Sequence, residues 1–351
     1  MAYTTIKKPS DYFNTKLYTG TGATQSITGV GFQPDFIWGK GRTLAGYNHG
    51  VVDIVRGTGK NIYTNLADAE ETYSTGVTSF DSDGFSVGSG NVFNNGSNTY
   101  VAWNWLANNT SGSSNTVGDI NSTVSVNTTS GFSIVSYTGT GSTATVGHSL
   151  GVAPKMYIVK RRDAGGASWC VYHASVGNTG ALFLNSDAAT SVSSSYWNNT
   201  SPTANVFTVG GTNQAVNASG GTYVAYCFSE VKGFSKFGSY TGNGSTDGPF
   251  IYTGFKPAFL IYKGASGTGT TDNWEMHDNK RDTSNPMDTV LYPNTTAAES
   301  NPASTTDRLD FLSNGFKIRT GSSDYNASGS TYIYMAFAEE PLVGDNPATA
   351  R

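Results

Sequence analysis

One phrase occurs three times in this chain of 351 residues. It reads YTGTGATQSITGVGFQPDFIWGK at residues 18–40, YTGTGSTATVGHSLGVAPKMYIVK at residues 137–160, and YTGNGSTDGPFIYTGFKPAFLIYK at residues 240–263. Self-similarity at a regular spacing is the signature of a protein assembled from like structural units. The chain is therefore predicted to contain three similar structural units.

The similarity continues beyond the phrase, because each copy ends on a related strand: TYVAWNWL, TYVAYCFSE or TYIYMAFAE. It defines a first repeat at 17–107, a second at 132–231 and a third at 232–341. Residues 1–16 then form an N-terminal arm and residues 342–351 a C-terminal tail. Residues 108–131 are rich in Asn, Ser, Thr and Gly, a composition typical of a linker.

Alternation in the closing strand predicts which of its faces is buried. One face is apolar in every repeat: Val101, Trp103 and Trp105; Val224, Tyr226 and Phe228; and Ile333, Met335 and Phe337. A period of two marks a strand with its apolar face on a core. The opposite face mixes polar and apolar residues, which predicts a sheet that is only partly covered.

A second strand follows the proline of the repeated phrase and is apolar on both faces, as in FIW, MYI and FLI. A strand of this kind is predicted at the centre of its sheet. With turn signals between many short strands, the chain is predicted to be all-β, with three tandem homologous antiparallel β-sandwich repeats of jelly-roll or Ig-like type. The linker favours three sandwiches in a row, and one composite fold made of all three repeats is the alternative.

Charge and composition restrict the classes of partner. Only 13% of the residues are charged and the formal net charge is −4, so nucleic acid is not an expected partner. No apolar run is long enough to insert into a membrane, and the N-terminus lacks the apolar segment of a signal peptide. Two cysteines, Cys170 and Cys227, make no disulfide framework, although their pairing is left open. Folding in a reducing cytoplasm is expected.

Motifs for chemistry are weak, and no catalytic residue, metal ligand or cofactor is predicted. The four histidines lack zinc-ligand spacing, and the carboxylates are scattered rather than paired as in a glycosidase. Asp53 with Arg56 and Asp278 with Arg281 recur at one position of the repeat, where the second repeat has His173. This pattern is interpreted as a turn-stabilising ion pair, with a polar binding pair as the alternative.

Two groups of residues are candidates for contacts with other molecules. Trp169 and Trp274 occupy matching positions where the first repeat has His49, so all three are candidate surface or ligand contacts, with core packing as the alternative. The N-terminal arm carries Lys7, Lys8, Tyr12 and Phe13, which are candidates for docking to a larger particle.

Several stretches resemble proteins encoded by tailed bacteriophages, especially those of cyanobacteria and other aquatic bacteria. They are DYFNTKLYTGTG, FDSDGFSVGS, TYVAWNWLA, VGHSLGVAPKMYIVKRRD, GFSKFGSYTGNGSTDGPFIYTGFKPAF and TYIYMAFAEEP. The resemblance extends over nearly the whole chain. It implies a virion structural or tail-fibre-like protein and carries over no catalytic residue.

The sequence therefore predicts a non-enzymatic virion protein in many copies, attached to capsid or tail as a decoration, fibre or stalk. Its expected partners are other virion proteins, further copies of itself in a symmetric homo-oligomer, and a host surface glycan or receptor. A glycan-binding receptor-recognition protein is the alternative, and a polysaccharide depolymerase is a further one. Capsid and tail remain equally open as the place of attachment.

Overall fold

The protein is built from antiparallel strands in several sheets, as expected of an all-β chain. A computed structural model describes residues 4–211, 213–267, 272–300, 308–345 and 347–349. Helices within these residues are single turns: a 3-10 turn at Pro9–Asp11, α1 at Asn91–Asn94, α2 at Ser194–Trp197 and α3 at Ser323–Asn326. The all-β prediction is confirmed.

The first repeat, with the residues just before it, forms two sheets. Its strands are β1 (Phe13–Thr19), β2 (Gln25–Thr28), β3 (Phe36–Gly41), β4 (Gly50–Asp53), β5 (Lys60–Tyr63), β6 (Glu71–Thr72), β7 (Val77–Asp81), β8 (Gly84–Val87) and β9 (Thr99–Trp105). The larger sheet has the order β1-β9-β3-β4-β5-β6, and the smaller sheet the order β2-β8-β7.

The second repeat follows the same plan, with two additional strands supplied by the preceding segment. Its strands are β10 (Ser113–Asn115), β11 (Ser122–Asn127), β12 (Phe132–Thr138), β13 (Ala144–Gly147), β14 (Met156–Arg161), β15 (Cys170–His173), β16 (Gly180–Phe183), β17 (Ser191–Val192), β18 (Val206–Val209) and β19 (Thr222–Phe228). The larger sheet is β10-β11-β12-β19-β14-β15-β16-β17, and β13 pairs with β18.

The third repeat again has a larger and a smaller sheet. Its strands are β20 (Ser235–Thr241), β21 (Phe250–Tyr252), β22 (Phe255–Ser266), β23 (Glu275–Asp278), β24 (Leu309–Leu312), β25 (Gly315–Ile318) and β26 (Thr331–Pro341). The larger sheet has the order β20-β26-β22-β23, and the smaller sheet the order β21-β25-β24.

The two strands that the sequence marks most clearly lie side by side at the centre of each larger sheet. The closing strand β9 pairs with β3, which follows the proline, so that Trp103 lies opposite Trp38. The same pairing recurs between β19 and β14 and between β26 and β22. The prediction that the strand after the proline is central is confirmed: residues of β3 are buried throughout.

Each repeat has a cluster of buried side chains that includes residues of both its larger and its smaller sheet. In the first repeat Ile37 and Ala102 of the larger sheet share this cluster with Phe85 of the smaller sheet. The closing-strand face expected to be partly covered is instead fully buried, with Tyr100, Ala102 and Asn104 all at 0% exposure. The smaller sheet covers it, and sequence alternation gives no signal of that cover.

The other face of all three larger sheets meets in one common core. This largest cluster contains Trp103 and Trp105 of the first repeat, Tyr226 and Phe228 of the second, and Phe337 of the third. The ring of Phe337 lies 5.6 Å from that of Trp105 and 6.1 Å from that of Phe228, centroid to centroid. The repeats therefore share their largest core.

The segment 108–131, interpreted from sequence as a linker, contributes two strands to the larger sheet of the second repeat. It carries β10 and β11, and β11 pairs with β12 through the register Val124↔Val135. Val124 is 3% exposed and belongs to the core of the second repeat. Its Asn, Ser and Thr residues form the turns and hydrogen bonds around these short strands, so a polar composition here reflects an edge of a sheet rather than a free connection.

Candidate functional site

The aromatic residues predicted to contact a ligand are buried between repeats. Trp169 and Trp274 are each 1% exposed and His49 is 0% exposed. Trp169 Nε1 donates to the backbone oxygen of Tyr63 in the first repeat at 2.9 Å, and Trp274 Nε1 donates to that of Phe183 in the second at 2.8 Å. The surface-contact prediction is therefore corrected: these indoles join neighbouring repeats.

His49 occupies the matching position in the contact between the first and third repeats. Its Nδ1 accepts a hydrogen bond from Trp38 Nε1 at 3.2 Å. Burial holds the pKa of His49 well below its ordinary value, and the charges of Lys40 and Arg281 act in the same direction. The imidazole is therefore neutral at physiological pH and serves as an uncharged packing and hydrogen-bonding group.

The lysine that ends each copy of the repeated phrase is also buried at a contact between repeats. Lys40, Lys160 and Lys263 are each 0% exposed. Lys160 Nζ donates to the backbone oxygen of Ala67 at 3.1 Å, and Lys263 Nζ to that of Asp187 at 2.9 Å. Burial lowers the pKa of each of these lysines to about 8. Their ammonium groups donate hydrogen bonds to backbone carbonyl oxygens that are buried where two repeats pack.

The recurring Asp–Arg pair is a buried ion pair that reaches into the next repeat. Arg56 Nε lies 2.5 Å from Asp53 Oδ2, with both side chains at 0% exposure. The same aspartate oxygen accepts from the hydroxyl of Tyr226, in the second repeat, at 2.7 Å. The sequence-based interpretation as a turn-stabilising pair covers only part of this arrangement, because the carboxylate also holds two repeats together.

The third repeat and the second use the same position in the same way. Asp278 pairs with Arg281 at 2.5 Å and accepts from Trp103 Nε1 of the first repeat at 3.0 Å. In the second repeat, His173 Nε2 lies 3.1 Å from the backbone oxygen of Tyr334 of the third. Each repeat thus contacts each of the other two, and the three contacts close a ring.

The N-terminal residues predicted to dock to a particle divide into two groups. Lys7 and Lys8 are exposed and pair with Asp345 at 3.8 Å and with Asp11 at 2.5 Å. Tyr12 is half-buried with its ring 6.0 Å from Phe234. Phe13 is 1% exposed and begins β1, so it belongs to the common core. The docking arm predicted at residues 1–16 thus includes a residue of the folded core, Phe13, while docking itself stays a prediction; residues 1–3 lie outside the described part.

One buried cluster of ionisable groups distinguishes the third repeat. Glu275, 1% exposed, accepts a hydrogen bond from the hydroxyl of Tyr262 at 2.6 Å, and Arg308 Nη1 lies 3.7 Å from the same carboxylate oxygen. Arg308 also donates to the hydroxyl of Tyr325. Burial raises the pKa of Glu275 to about 7, against the opposing effects of the two tyrosines and Arg308. This carboxyl group therefore titrates near neutral pH.

The other repeats fill the same space with small or apolar residues. In the first repeat the positions of Tyr262 and Glu275 are Gly39 and Gly50, which leave room for the ring of Phe93. A Cβ atom on Gly39 would lie 2.5 Å from that ring, and one on Gly50 would lie 2.6 Å from it. A polar cluster is therefore not required by the fold of the repeat.

His277 completes the cluster, with its Nε2 3.8 Å from Glu275 Oε2. Burial, with the charges of Arg308 and Arg281, lowers its pKa to about 3. Within the described ranges neither ring nitrogen has a hydrogen-bond partner. Glu275 is thus the member of this cluster whose pKa lies near neutral pH. Among the same residues, no group of three or more His, Cys, Asp or Glu side chains is placed to hold a metal ion.

Comparison with known proteins places the chain in a family. A family model described as a domain of unknown function, DUF7483, matches residues 8–341. The chain belongs to the DUF7483 family. No curated protein and no solved structure matches it.

In this DUF7483 chain the cysteines left open by the sequence are both free and buried. Cys170 occupies in the second repeat the position of Glu275 in the third. In the part of the chain that the structure describes, no helix has the length and apolar character needed to cross a membrane.

Sequence reasoning did not select Glu275, although a signal was present. Aligning the repeats puts Gly50, Cys170 and Glu275 at one position of a strand with buried neighbours. A carboxylate there must be desolvated, and desolvation raises the pKa of an acid. An ionisable residue at a position that is otherwise small was the available indication.

Proposed function

We propose that this DUF7483 protein is a non-enzymatic structural component of a tailed-phage particle, carried in many copies on the capsid or tail as a decoration, fibre or stalk. One observation supports the scaffold role above all others. The side chains that recur at matching positions, including the tryptophans and the lysines, lie in contacts between repeats. The repeated residues thus stabilise the packing of the repeats, as expected of a scaffold. The resemblance of the sequence to phage proteins supports its place in a virus particle.

We infer further that the three repeats are homologous antiparallel β-sandwiches, each with a larger and a smaller sheet. Their matching strand orders support this inference, since β1-β9-β3-β4 corresponds to β20-β26-β22-β23. Closing three such units around one core gives a compact building block whose outer loops are free to vary. In this proposal the outer loops are the part of the protein that contacts the host cell.

Docking to the particle is assigned to the exposed end of the N-terminal segment. Lys7 and Lys8 have side-chain exposures of 65% and 64%, whereas Phe13 is committed to the core. Charge reversal at both lysines, Lys7→Glu with Lys8→Glu, should leave a folded protein that no longer joins particles. Reversal at the exposed Lys155 and Lys280 is the matched control, because it changes the net charge equally.

The test of the proposed function is the location of the chain in purified phage particles. Particles are separated on a density gradient, their proteins are identified by mass spectrometry, and an antibody against the chain is imaged by electron microscopy. The proposal expects stoichiometric recovery with particles and label at a regular position on the capsid or tail. Recovery of the chain only in the fractions that contain no particles would overturn it.

A further inference from the structure

One outer surface of the third repeat exposes two aromatic rings on adjacent outward positions of a strand. Phe250 is 45% exposed and Tyr252 is 54% exposed, while Ile251 between them is 7% exposed and points to the core. The other large apolar residues exposed in the described part are valines. Residues two apart on a strand lie about 7 Å from each other on the same face.

The register of the smaller sheet identifies what lies beside these rings. Phe250 pairs with Lys317, which pairs with Asp310, while Tyr252 pairs with Gly315. Cross-strand partners point to the same side of a sheet. We call this surface the Phe250 face and define it as Phe250, Tyr252, Gly315, Lys317 and Asp310. It combines two exposed aromatic rings with a buried glycine and a row of charged side chains.

Gly315 leaves no room for a side chain. A Cβ atom on Gly315 would lie 2.0 Å from the backbone oxygen of Ile251 and 3.1 Å from the ring of Phe250. Any larger residue would displace the backbone of β21 or the ring of Phe250. The glycine therefore allows the ring of Phe250 to lie close to the backbone of β25.

Charged side chains around the two aromatic rings offer both donors and acceptors. Lys317 Nζ lies 2.6 Å from Asp247 Oδ1, and Arg319 Nε lies 3.6 Å from Asp310 Oδ2. The side chains of Asp247 and Arg319 are 88% and 42% exposed. Each cation is thus matched by a nearby carboxylate, and the surface carries local hydrogen-bonding capacity without a strong excess of either charge.

The fold of the repeat does not require this surface. Phe250 and Tyr252 correspond to Ser26 and Thr28 in the first repeat and to Thr145 and Gly147 in the second. Ser26 there faces Ser86, with the hydroxyl oxygens 3.0 Å apart. The equivalent strands of the other repeats form with small side chains at these positions. The aromatic pair is therefore specific to the third repeat.

We propose that the Phe250 face is a carbohydrate-binding site that takes a glycan of a bacterial cell surface. A sugar ring presents C–H groups on one face and hydroxyl groups around its rim. The rings of Phe250 and Tyr252 stack on the first, while Lys317, Asp310 and their partners hydrogen-bond the second. The choice of a bacterial glycan, though not the site itself, rests on the proposed function.

The same observations disfavour other occupants. A fully buried aromatic side chain contributes about 150–250 Å², so the pair falls short of the roughly 800 Å² per partner of a standard protein interface. Single-stranded nucleic acid also stacks on aromatic rings, but it needs a positively charged groove. Here Lys317 and Arg319 are matched by acids, and the formal net charge of the chain is −4.

The test uses the full chain against an array of bacterial O-chain and capsular polysaccharides, together with oligosaccharides of glucose, galactose, mannose and N-acetylglucosamine. The variant F250S/Y252T installs the residues that the first repeat has at these positions. It is expected to bind the recognised glycan at least tenfold more weakly while its thermal unfolding is unchanged. In the wild type, saturating aromatic protons should transfer magnetisation to sugar C–H protons.

The matched control is Val192→Ser, which removes a 77% exposed apolar side chain from the second repeat and should leave binding intact. Binding to none of the arrayed saccharides would overturn the proposal, as would equal binding by F250S/Y252T. A wild-type dimer that F250S/Y252T dissociates, without glycan binding, would instead assign the face to a second copy of the chain. All these results concern the isolated protein, so they are independent of whether the chain is found in particles.

Discussion

At the scale of single residues, the chain buries ionisable groups that ordinarily face water. The lysines of the repeated phrase donate to backbone oxygens, and the Asp–Arg pairs are fully enclosed. Burying a charge is costly unless it is paired or hydrogen-bonded. These groups therefore act as position-specific connections between repeats, and each makes a distinct prediction.

The first prediction concerns Glu275 and pH. Its pKa of about 7 in the folded protein lies above the ordinary value of 4.5. Between these pH values the folded protein keeps a proton that the unfolded chain has released, so this residue lowers the free energy of unfolding as pH rises from about 4.5 to 7. Glu275→Gln should remove that loss, which is on the order of a few kcal/mol.

Chemical denaturation of the wild type and of Glu275→Gln at pH 5 and pH 8 measures the effect. The difference in unfolding free energy between the two proteins should shift in favour of the variant at pH 8. Because only this difference is compared, other titrating groups cancel. An identical pH dependence of both proteins would show that Glu275 titrates normally.

The second prediction concerns the ion pair of Asp53 and Arg56. Arg56→Met leaves the carboxylate of Asp53 buried without its cation, and breaking a buried pair in this way costs about 3–5 kcal/mol. The double variant D53N/R56M removes both charges and should be the more stable of the two. If Arg56→Met costs only about 1 kcal/mol or less, as an exposed pair would, then the enclosed pair described here is not present in solution.

At the scale of strands and segments, the N-terminal residues illustrate what sequence can and cannot reveal. The stretch DYFNTK is interpreted as part of an arm because it precedes the first repeat. Nothing in its pattern tells that Phe13 packs against Trp105, Phe259 and Phe337, which come from two different repeats. The deciding contacts are all distant in sequence.

The third prediction follows from that packing. Phe13→Ala should lower the free energy of unfolding by about 3–5 kcal/mol, as large-to-small substitutions of buried aromatic residues do. Deleting residues 1–16 should be more damaging still, because it also removes the first residues of β1. The control K7A/K8A changes exposed side chains and should stay within about 0.5 kcal/mol of wild type. Wild-type stability for Phe13→Ala, by urea denaturation, would restore the view of a free arm.

Strand patterns predicted the centre of each sheet well. Alternation of Val101, Trp103 and Trp105 identifies the face that lies in the common core, and the strand after the proline is central in its sheet, as predicted. Alternation cannot distinguish a face turned to solvent from one turned to another repeat. For this reason the alternation leaves Trp169 and Trp274 as surface candidates, although the first repeat contacts the indole of Trp169 and the second repeat that of Trp274.

At the scale of the whole molecule, the three repeats close around one core. The contacts run from the second repeat to the first, from the third to the second and from the first to the third, through Trp169, Trp274 and Trp103. Internal repetition predicts three structural units from the sequence alone. The packing of the three repeats around one core could not be predicted from the sequence, because the residues in contact belong to different copies of the same pattern.

A shared core has a thermodynamic consequence, which is the fourth prediction. No repeat can unfold without exposing its part of the cluster that contains Trp105, Phe228 and Phe337. The repeats should therefore unfold together, with no intermediate in which one has melted and two remain.

Differential scanning calorimetry of the full chain tests this claim most directly. We expect a single transition whose calorimetric enthalpy equals its van't Hoff enthalpy. Resolved transitions for separate repeats, or a calorimetric enthalpy about three times the van't Hoff value, would contradict it and show three independent domains in a row.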